Sequence, residues 1–503
     1  MAGRTDVAAV SAIIKPAGDR STTLRFAHTA FIAGPPRARV AAQRRYSRVE
    51  EADLRALRDI VGPENVSTRG WDLAVSSANA IGEVEGRAEA VVWPASAEEV
   101  SEVLRYCSER GIPVTPRGSG SSTSGNATPV MGGIVISTRR MNRILEVSRE
   151  DLLAVVEPGV VYESLNSKLR ELGLFFPPEP ASGSVSTIGG MVGNNSSGFR
   201  AVKYGVTRDY VSGLEVALPS GEIIRLGTRA PKSSIGYDLV RLFVGSEGTL
   251  GFFTKITLKL RPLPEARRTG ICYAESAGRA AEAIFDVMAS PARPSAIEYL
   301  DSRVLKLLSE SGYPYREAGA ALLVETDGTE RAAEDDMSRI ESICRSRGGD
   351  FRRAGGAEEE KLWSGRRALG ALVARLSPYI IVGDVDVPVS KLPWIVEEIY
   401  GLGREAGVGL VVFGHAGDGN LHVNILAGGR DPESRRRAED LYARIIERTI
   451  EAGGAVAGEH GIGVEKRGFM EAQHGRRVLE LMRRIKEVID PSWIMNPGKL
   501  FPD

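Results

Sequence analysis

The segment PRGSGSSTSGN, residues 116–126, decides how this chain is read. It follows an apolar strand, and its packed Gly and Ser residues let backbone N–H groups come close to an anion, as in a phosphate-cradling nest. The same composition also suits an ordinary surface loop. Two more segments weigh against that: PEPASGSVSTIGGMVGNNSSG at 178–198 and GSEGTLG at 245–251 are again small and polar. Three of them in one strand-rich region point to a long, phosphate-bearing ligand laid across several loops. None is a dinucleotide fingerprint, because the GxGxxG spacing fails after Gly120 and no helix follows. No GxxxxGK[ST] loop occurs either.

Outward from these loops the chain alternates strand and helix. EEADLRALRDIVG reads as an amphipathic helix stopped by Gly62. EAVVWP, the helical SAEEVSEVLRYCSERG and IPVTPRG make a βαβ-like unit that feeds the first loop. Strands follow in GGIVIST, LLAVVEPGV, SGLEVAL, EIIRLG and FFTKITLKL, with the helix YESLNSKLRELG among them. RPLPEARR at 261–268 reads as a linker, since fixed φ and a polar run suit a boundary. Strands (ICYAE, ALLVETDG, YIIVGDVDVP) and helices then alternate to the C-terminus, and the charge run ESRRRAED at 433–440 reads as the solvated face of a helix.

The 503 residues exceed what one core supports, so more than one domain is expected. With 65 Lys+Arg against 65 Asp+Glu, the chain has no general field for DNA or RNA, and any anion must be recognised locally. Apolar runs stop well short of the roughly 18 residues that span a bilayer. A cytoplasmic protein is the simplest reading, with peripheral membrane attachment and self-association left open. Cys107, Cys272 and Cys344 are too few and dispersed for a disulfide framework or an iron–sulfur cluster. Residues 1–45, Arg-bearing and acid-poor, read as a disordered N-terminal extension, a leader or a start-site error.

Four of the five histidines lie beyond residue 414. In GLVVFGHAGDGNLHVNIL two apolar strands flank Asp418-Gly419, a signal for a two-residue hairpin turn. A turn centred there sets His415 directly opposite His422, with Cβ atoms about 4.5–5.5 Å apart on one face. Both imidazoles could then hold one metal ion, and Asn424 would share their face. GGAVAGEHGIG at 453–463 reads as a short strand ending beside Glu459, a third ligand, and His460, a proton acceptor near the metal. Two structural histidines, or a His460 that only supports the ligands, remain the plainer readings. Arg366, in WSGRRALG, has the fork that suits a carboxylate, and His474 is expected at the surface.

Together PRGSGSSTSG, STIGGMVGNNSSG, KYGVTRDYV, GSEGTLG, GHAGDGNLH, GEHGIGVEK and the closing NPGK resemble the FAD-dependent family of the glycolate oxidase flavoprotein subunit and the D-lactate dehydrogenases. The resemblance runs from about residue 48 to the C-terminus. It implies an α+β fold: a two-subdomain FAD-binding module of the p-cresol-methylhydroxylase or vanillyl-alcohol-oxidase type at 46–264, and a substrate- and metal-binding cap at 265–470. The cap carries a mainly antiparallel sheet, and 471–503 returns to the flavin module.

The resemblance also implies roles. Arg117, Gly118, Ser119, Gly120, Ser121 and Ser122 would form the pyrophosphate loop. Pro180, Thr187, Gly189, Gly190 and Asn194 would line the flavin, Glu247 and Gly248 its nucleotide part, and Asn496 would approach from the C-terminal return. The first loop lacks His and Cys, so FAD is expected to bind non-covalently. His415, His422 and Glu459 would hold a divalent metal such as zinc, manganese or iron. His460 would be the base and Arg366 would face the substrate carboxylate, with Asn424 beside them. The implied reaction is oxidation of a D-2-hydroxy acid to the 2-oxo acid, with hydride passing from Cα to flavin N5.

Relatives acting on D-2-hydroxyglutarate carry a lysine ahead of the strand acid, where this chain reads Tyr379-Ile380-Ile381-Val382-Gly383-Asp384. D-lactate or glycolate is therefore expected. Electrons would leave to a separate acceptor: a quinone, a cytochrome, an electron-transfer flavoprotein or an iron–sulfur subunit. The rival readings are a D-2-hydroxyglutarate dehydrogenase and an FAD subunit that only relays electrons within a complex.

Overall fold

A computed structural model describes residues 46–81 and 84–502. The expectation for residues 1–45 lies outside the described residues. Glu51–Val61 is helical and buries Leu54, Leu57 and Val61 at helical spacing, and Gly62, at φ +89°, ends it. The βαβ reading holds with one addition. In the first sheet β1 (Val66–Ser67), β2 (Ala90–Val92), β4 (Ile134–Ser137) and β3 (Val114–Arg117) lie in that order, with β4 inserted between the parallel β2 and β3. The crossover helix Ala97–Arg110 is capped by Ser96 and stops at Gly111, φ +66°.

The second sheet is antiparallel, ordered β5 (Ile144–Ser148), β6 (Leu153–Val156), β10 (Phe252–Lys259), β8 (Val211–Ala217) and β9 (Ile223–Gly227). β5, half-exposed and partly charged, gave no apolar run to find it by. β7 (Leu174–Phe175) and β11 (Arg261–Pro262) form a small ribbon. The C-terminus comes back to this region: Ile494 O accepts from Val114 N at 2.8 Å, and Asn496 N donates to Val114 O at 2.7 Å, so residues 494–496 extend the β3 edge.

The third sheet has seven antiparallel strands: β15 (Asp350–Ala354), β12 (Ala266–Ala274), β14 (Ala320–Gly328), β13 (Pro294–Asp301), β17 (Gly409–Gly414), β18 (Asn420–Leu426) and β16 (Ile380–Asp386). The linker reading of 261–268 needs correction, because Ala266–Arg268 already pair with Thr326–Gly328. Pairing with a long central strand overrides the polar composition. One face of this sheet carries Leu300, Leu323, Val411 and Phe413 and packs on the helices Ser302–Glu310 and Ala357–Val373. Arg200, just after the second Gly/Ser segment, donates from Nε and Nη2 to the buried Glu325 of β14 at 2.8 and 2.9 Å, fixing that segment against this face. No helix among the described residues is long and apolar enough to cross a membrane.

Candidate active site

A cavity of about 670 Å³ runs from the Gly/Ser loops to the inner face of the seven-stranded sheet. Of the cofactor, metal and catalytic residues expected from the sequence, all but Asn496 line it. Asn496 sits one layer behind, where its Nδ2 donates to the carbonyls of Asn126 and Glu247 at 2.8 and 2.6 Å. It shapes the wall and does not reach the cavity.

The loops are built for close approach. A Cβ on Gly118 would stand 2.1 Å from Thr187 Oγ1, and one on Gly120 would stand 2.0 Å from the Arg117 guanidinium in a backbone at φ +78°. Among the described residues the backbone N–H groups of Ser119, Gly120, Ser121 and Ser122 have no protein acceptor, and these residues line the cavity. Such a run of free donors fits a phosphate-bearing cofactor. The Arg117 side chain itself is spent inside the protein, donating to Ala127 O and Val75 O at 3.0 Å each. Glu247 likewise accepts from Ile462 N, Gly463 N and Asn126 Nδ2 at 2.6, 2.8 and 2.6 Å. It joins the third Gly loop to the histidine-bearing segment.

At the other end the hairpin departs from its expected register. β17 and β18 pair so that His422 lies opposite Phe413, and His415–Gly419 is a five-residue loop. The loop is held because His415 O accepts from Asp418 N and Asn420 N at 3.2 Å each, while Gly417 N is drawn to Ile297 O at 3.2 Å. The β13–β17 register, continued one residue, places Glu298 opposite His415. The two imidazoles still meet, with ring centroids 5.1 Å apart.

His415 Nε2 and His422 Nε2 stand 3.3 and 3.4 Å from Glu459 Oε1. Two ligands each roughly 2.0–2.1 Å from one tetrahedral ion stand about 3.3–3.4 Å apart, which matches both His–Glu spacings, and all three ligand atoms lie within 4.8 Å of one another. Burial disfavours a charged imidazole, but Glu298 and Glu459 outweigh it and push His415 up to about 10. For His422 burial prevails and lowers it well below the ordinary range. The carboxylates thus favour positive charge at His415, while His422 stays neutral with a lone pair to offer.

The expected strand before Glu459 is absent; a single bridge joins Ala455 to Asp386. Asp384 takes its place as the organiser. Its Oδ2 accepts the backbone N–H groups of Gly458, Glu459 and His460 at 3.0, 3.0 and 2.9 Å, and Asn420 donates to Oδ1 at 2.8 Å. Asp384, His422 and His460 form a second cluster of ligand atoms. The Asp384 oxygens, however, are already occupied by these donors. His460 stacks on His422 at 5.1 Å and 13°, with Nε2 3.7 Å from Glu459 Oε1.

Arg366 lies within the helix Ala357–Val373, buried between Phe199 and Phe413. Its Nε donates to Glu298 Oε2 at 2.6 Å. Its Nη2 approaches the same oxygen at 2.6 Å without hydrogen-bond alignment, so donor capacity remains at the cavity wall. Asn424, beside His422 on β18, donates to Val411 O and His422 O, both at 3.3 Å. His474 is exposed, as expected. Glu298 went unnoticed in the sequence. A lone acid in the apolar strand SAIEYL was the available signal, but its partners are far away along the chain.

Two family models match the chain. Residues 88–227 match the family described as FAD binding domain, and residues 263–500 match FAD linked oxidases, C-terminal domain. The glycolate oxidase subunit GlcD of Bacillus subtilis is 40% identical, over 88% of this chain and 95% of its own. The mitochondrial D-lactate dehydrogenase [cytochrome] of Arabidopsis thaliana is 36% identical, over 82% and 73%. Substrate-bound p-cresol methylhydroxylase shares the fold at 18% identity, with a TM-score of 0.74 over 90% of this chain and 96% of its own. With an FAD-binding domain followed by the C-terminal domain of these oxidoreductases, the chain belongs to the FAD-linked oxidase family.

Proposed function

We propose that this protein oxidises a small D-2-hydroxy acid, D-lactate or glycolate, to the 2-oxo acid and passes the electrons to a separate acceptor. The observation that carries the reading is the convergence of Arg366, the His415–His422–Glu459 cluster and His460 at one end of the cavity that the Gly/Ser loops line. Non-covalent FAD, held along Gly118–Ser122, Pro180, Thr187, Gly189, Gly190 and Asn194, supplies the acceptor for a hydride from the substrate Cα. A divalent cation held by His415, His422 and Glu459 supplies Lewis-acid stabilisation where alkoxide charge develops.

The chain's own groups do the rest. Arg366 binds the substrate carboxylate with donors that Glu298 leaves free. His460 Nε2, on the Glu459 side, accepts the hydroxyl proton, a task for which imidazole is suited near neutral pH. Phe199 and Phe413 hold the guanidinium in place, so substrate and base stay in register. Beside Arg366 the wall carries Val373, Ala374, Ile380, Val382 and Phe413, and its further cation, Arg367, is paired with Glu360 at 2.5 Å. A second carboxylate would have to compete with Glu360 for Arg367 or be buried against the apolar side chains, which favours a monocarboxylate. Dye-linked turnover should therefore be faster with D-lactate or glycolate than with D-2-hydroxyglutarate; the reverse order would overturn the substrate assignment.

A further inference from the structure

Glu298 is fully buried on β13 and divides its two oxygens between the two ends of the substrate site. Oε1 lies 2.6 Å from His415 Nδ1, and Oε2 accepts from Arg366 Nε at 2.6 Å. We infer that Glu298 is a positioning residue that fixes which nitrogen His415 presents to a metal ion and, through the same carboxylate, holds Arg366 at the substrate end. The inference rests on the function proposed above.

A carboxylate beside Arg366 is an acceptor only, so the short contact to His415 requires a hydrogen on Nδ1. In the neutral ring that a metal ion requires, Nε2 then carries the lone pair, and it is Nε2 that faces Glu459 Oε1 at 3.3 Å. A ligating histidine whose second ring nitrogen is tied to a carboxylate has its tautomer and ring angle set, and loss of such a partner typically costs about 10–100-fold in metal affinity. Phe199 meets the His415 ring edge-on, and Glu298 is the polar partner on its Nδ1 side, opposite Glu459 at Nε2. Because Arg366 uses the other oxygen, the metal end and the carboxylate-binding end share one rigid anchor.

Glu298→Gln separates the two duties. Gln has one acceptor oxygen, which the charged Arg366 keeps, and its NH2 then faces the Nδ1–H of His415. Holoenzyme variants would be dialysed in metal-limited buffer and titrated with manganese or zinc ions, with bound metal measured by elemental analysis and FAD by absorbance. E298Q should keep its FAD, bind metal at least 10-fold more weakly, and regain kcat as metal is added. Glu298→Asp, one methylene shorter, should lose metal and also raise KM for D-lactate, since it cannot span both partners. Should E298Q fold poorly, the same titration on E298D decides. Metal affinity within twofold of wild type in a folded variant overturns the inference. A wild-type protein that binds neither ion, or oxidises no hydroxy acid, would instead overturn the reading beneath it.

Discussion

Asp384 Oδ2 accepts the backbone N–H of His460 at 2.9 Å, the last of three consecutive donors on that oxygen. The contact ties a strand of the sheet to a segment with no regular structure of its own. Both Glu459 and His460 are aimed by it. Asp384→Ala should strand three part-buried N–H groups and leave the buried Lys466 without its carboxylate, costing about 3–5 kcal/mol. Denaturant unfolding checks the stability. Metal content should fall with it, because the loop that carries Glu459 is released. A variant as stable as wild type would contradict this role.

His460 tests the base. His460→Asn should slow flavin reduction by D-lactate by on the order of 100-fold or more while FAD stays bound, as expected for loss of general-base catalysis. Single-turnover absorbance under anaerobic conditions measures it. An unchanged rate would remove His460 from the proton transfer.

The metal is tested by removal. Chelation followed by elemental analysis should give a protein that retains FAD but has lost most of its turnover, restored by a divalent ion. Glu459→Gln should mimic the chelated state, because the carboxylate shared by His415 and His422 is gone. Full activity in demonstrably metal-free protein would exclude the ion from the reaction.

The Gly/Ser loop is tested by crowding. Gly120→Ala forces a Cβ into the Arg117 guanidinium and strains a backbone at φ +78°. The ratio of flavin to protein absorbance should fall. Gly348→Ala, also at positive φ but with nothing within 4 Å, is the control for strain alone and should keep its FAD.

Much of this was legible in the sequence because the signals were local. The Gly/Ser loops and the βαβ unit declare themselves through composition and spacing, and the hydrophobic runs of β12, β14, β16, β17 and β18 are apparent from their lengths. The histidine pair was legible too, though for an incomplete reason. Asp418-Gly419 reads as a two-residue turn, whereas the Gly417 contact with β13 opens the hairpin into a longer loop. What remained hidden depends on contacts between distant segments. Glu298 meets His415 and Arg366 only because β13 lies beside β17 under the helix Ala357–Val373. Asp384 could be seen as a strand acid, but its hold on residues 458–460 could not.

The most direct test of the proposed oxidation is anaerobic mixing of the purified FAD-bound protein with D-lactate, L-lactate, glycolate and D-2-hydroxyglutarate while flavin absorbance is followed. Rapid bleaching by D-lactate or glycolate, with L-lactate inert and D-2-hydroxyglutarate slow, is the expected result. A flavin that stays oxidised with every D-2-hydroxy acid, in protein supplied with a divalent ion, would contradict it.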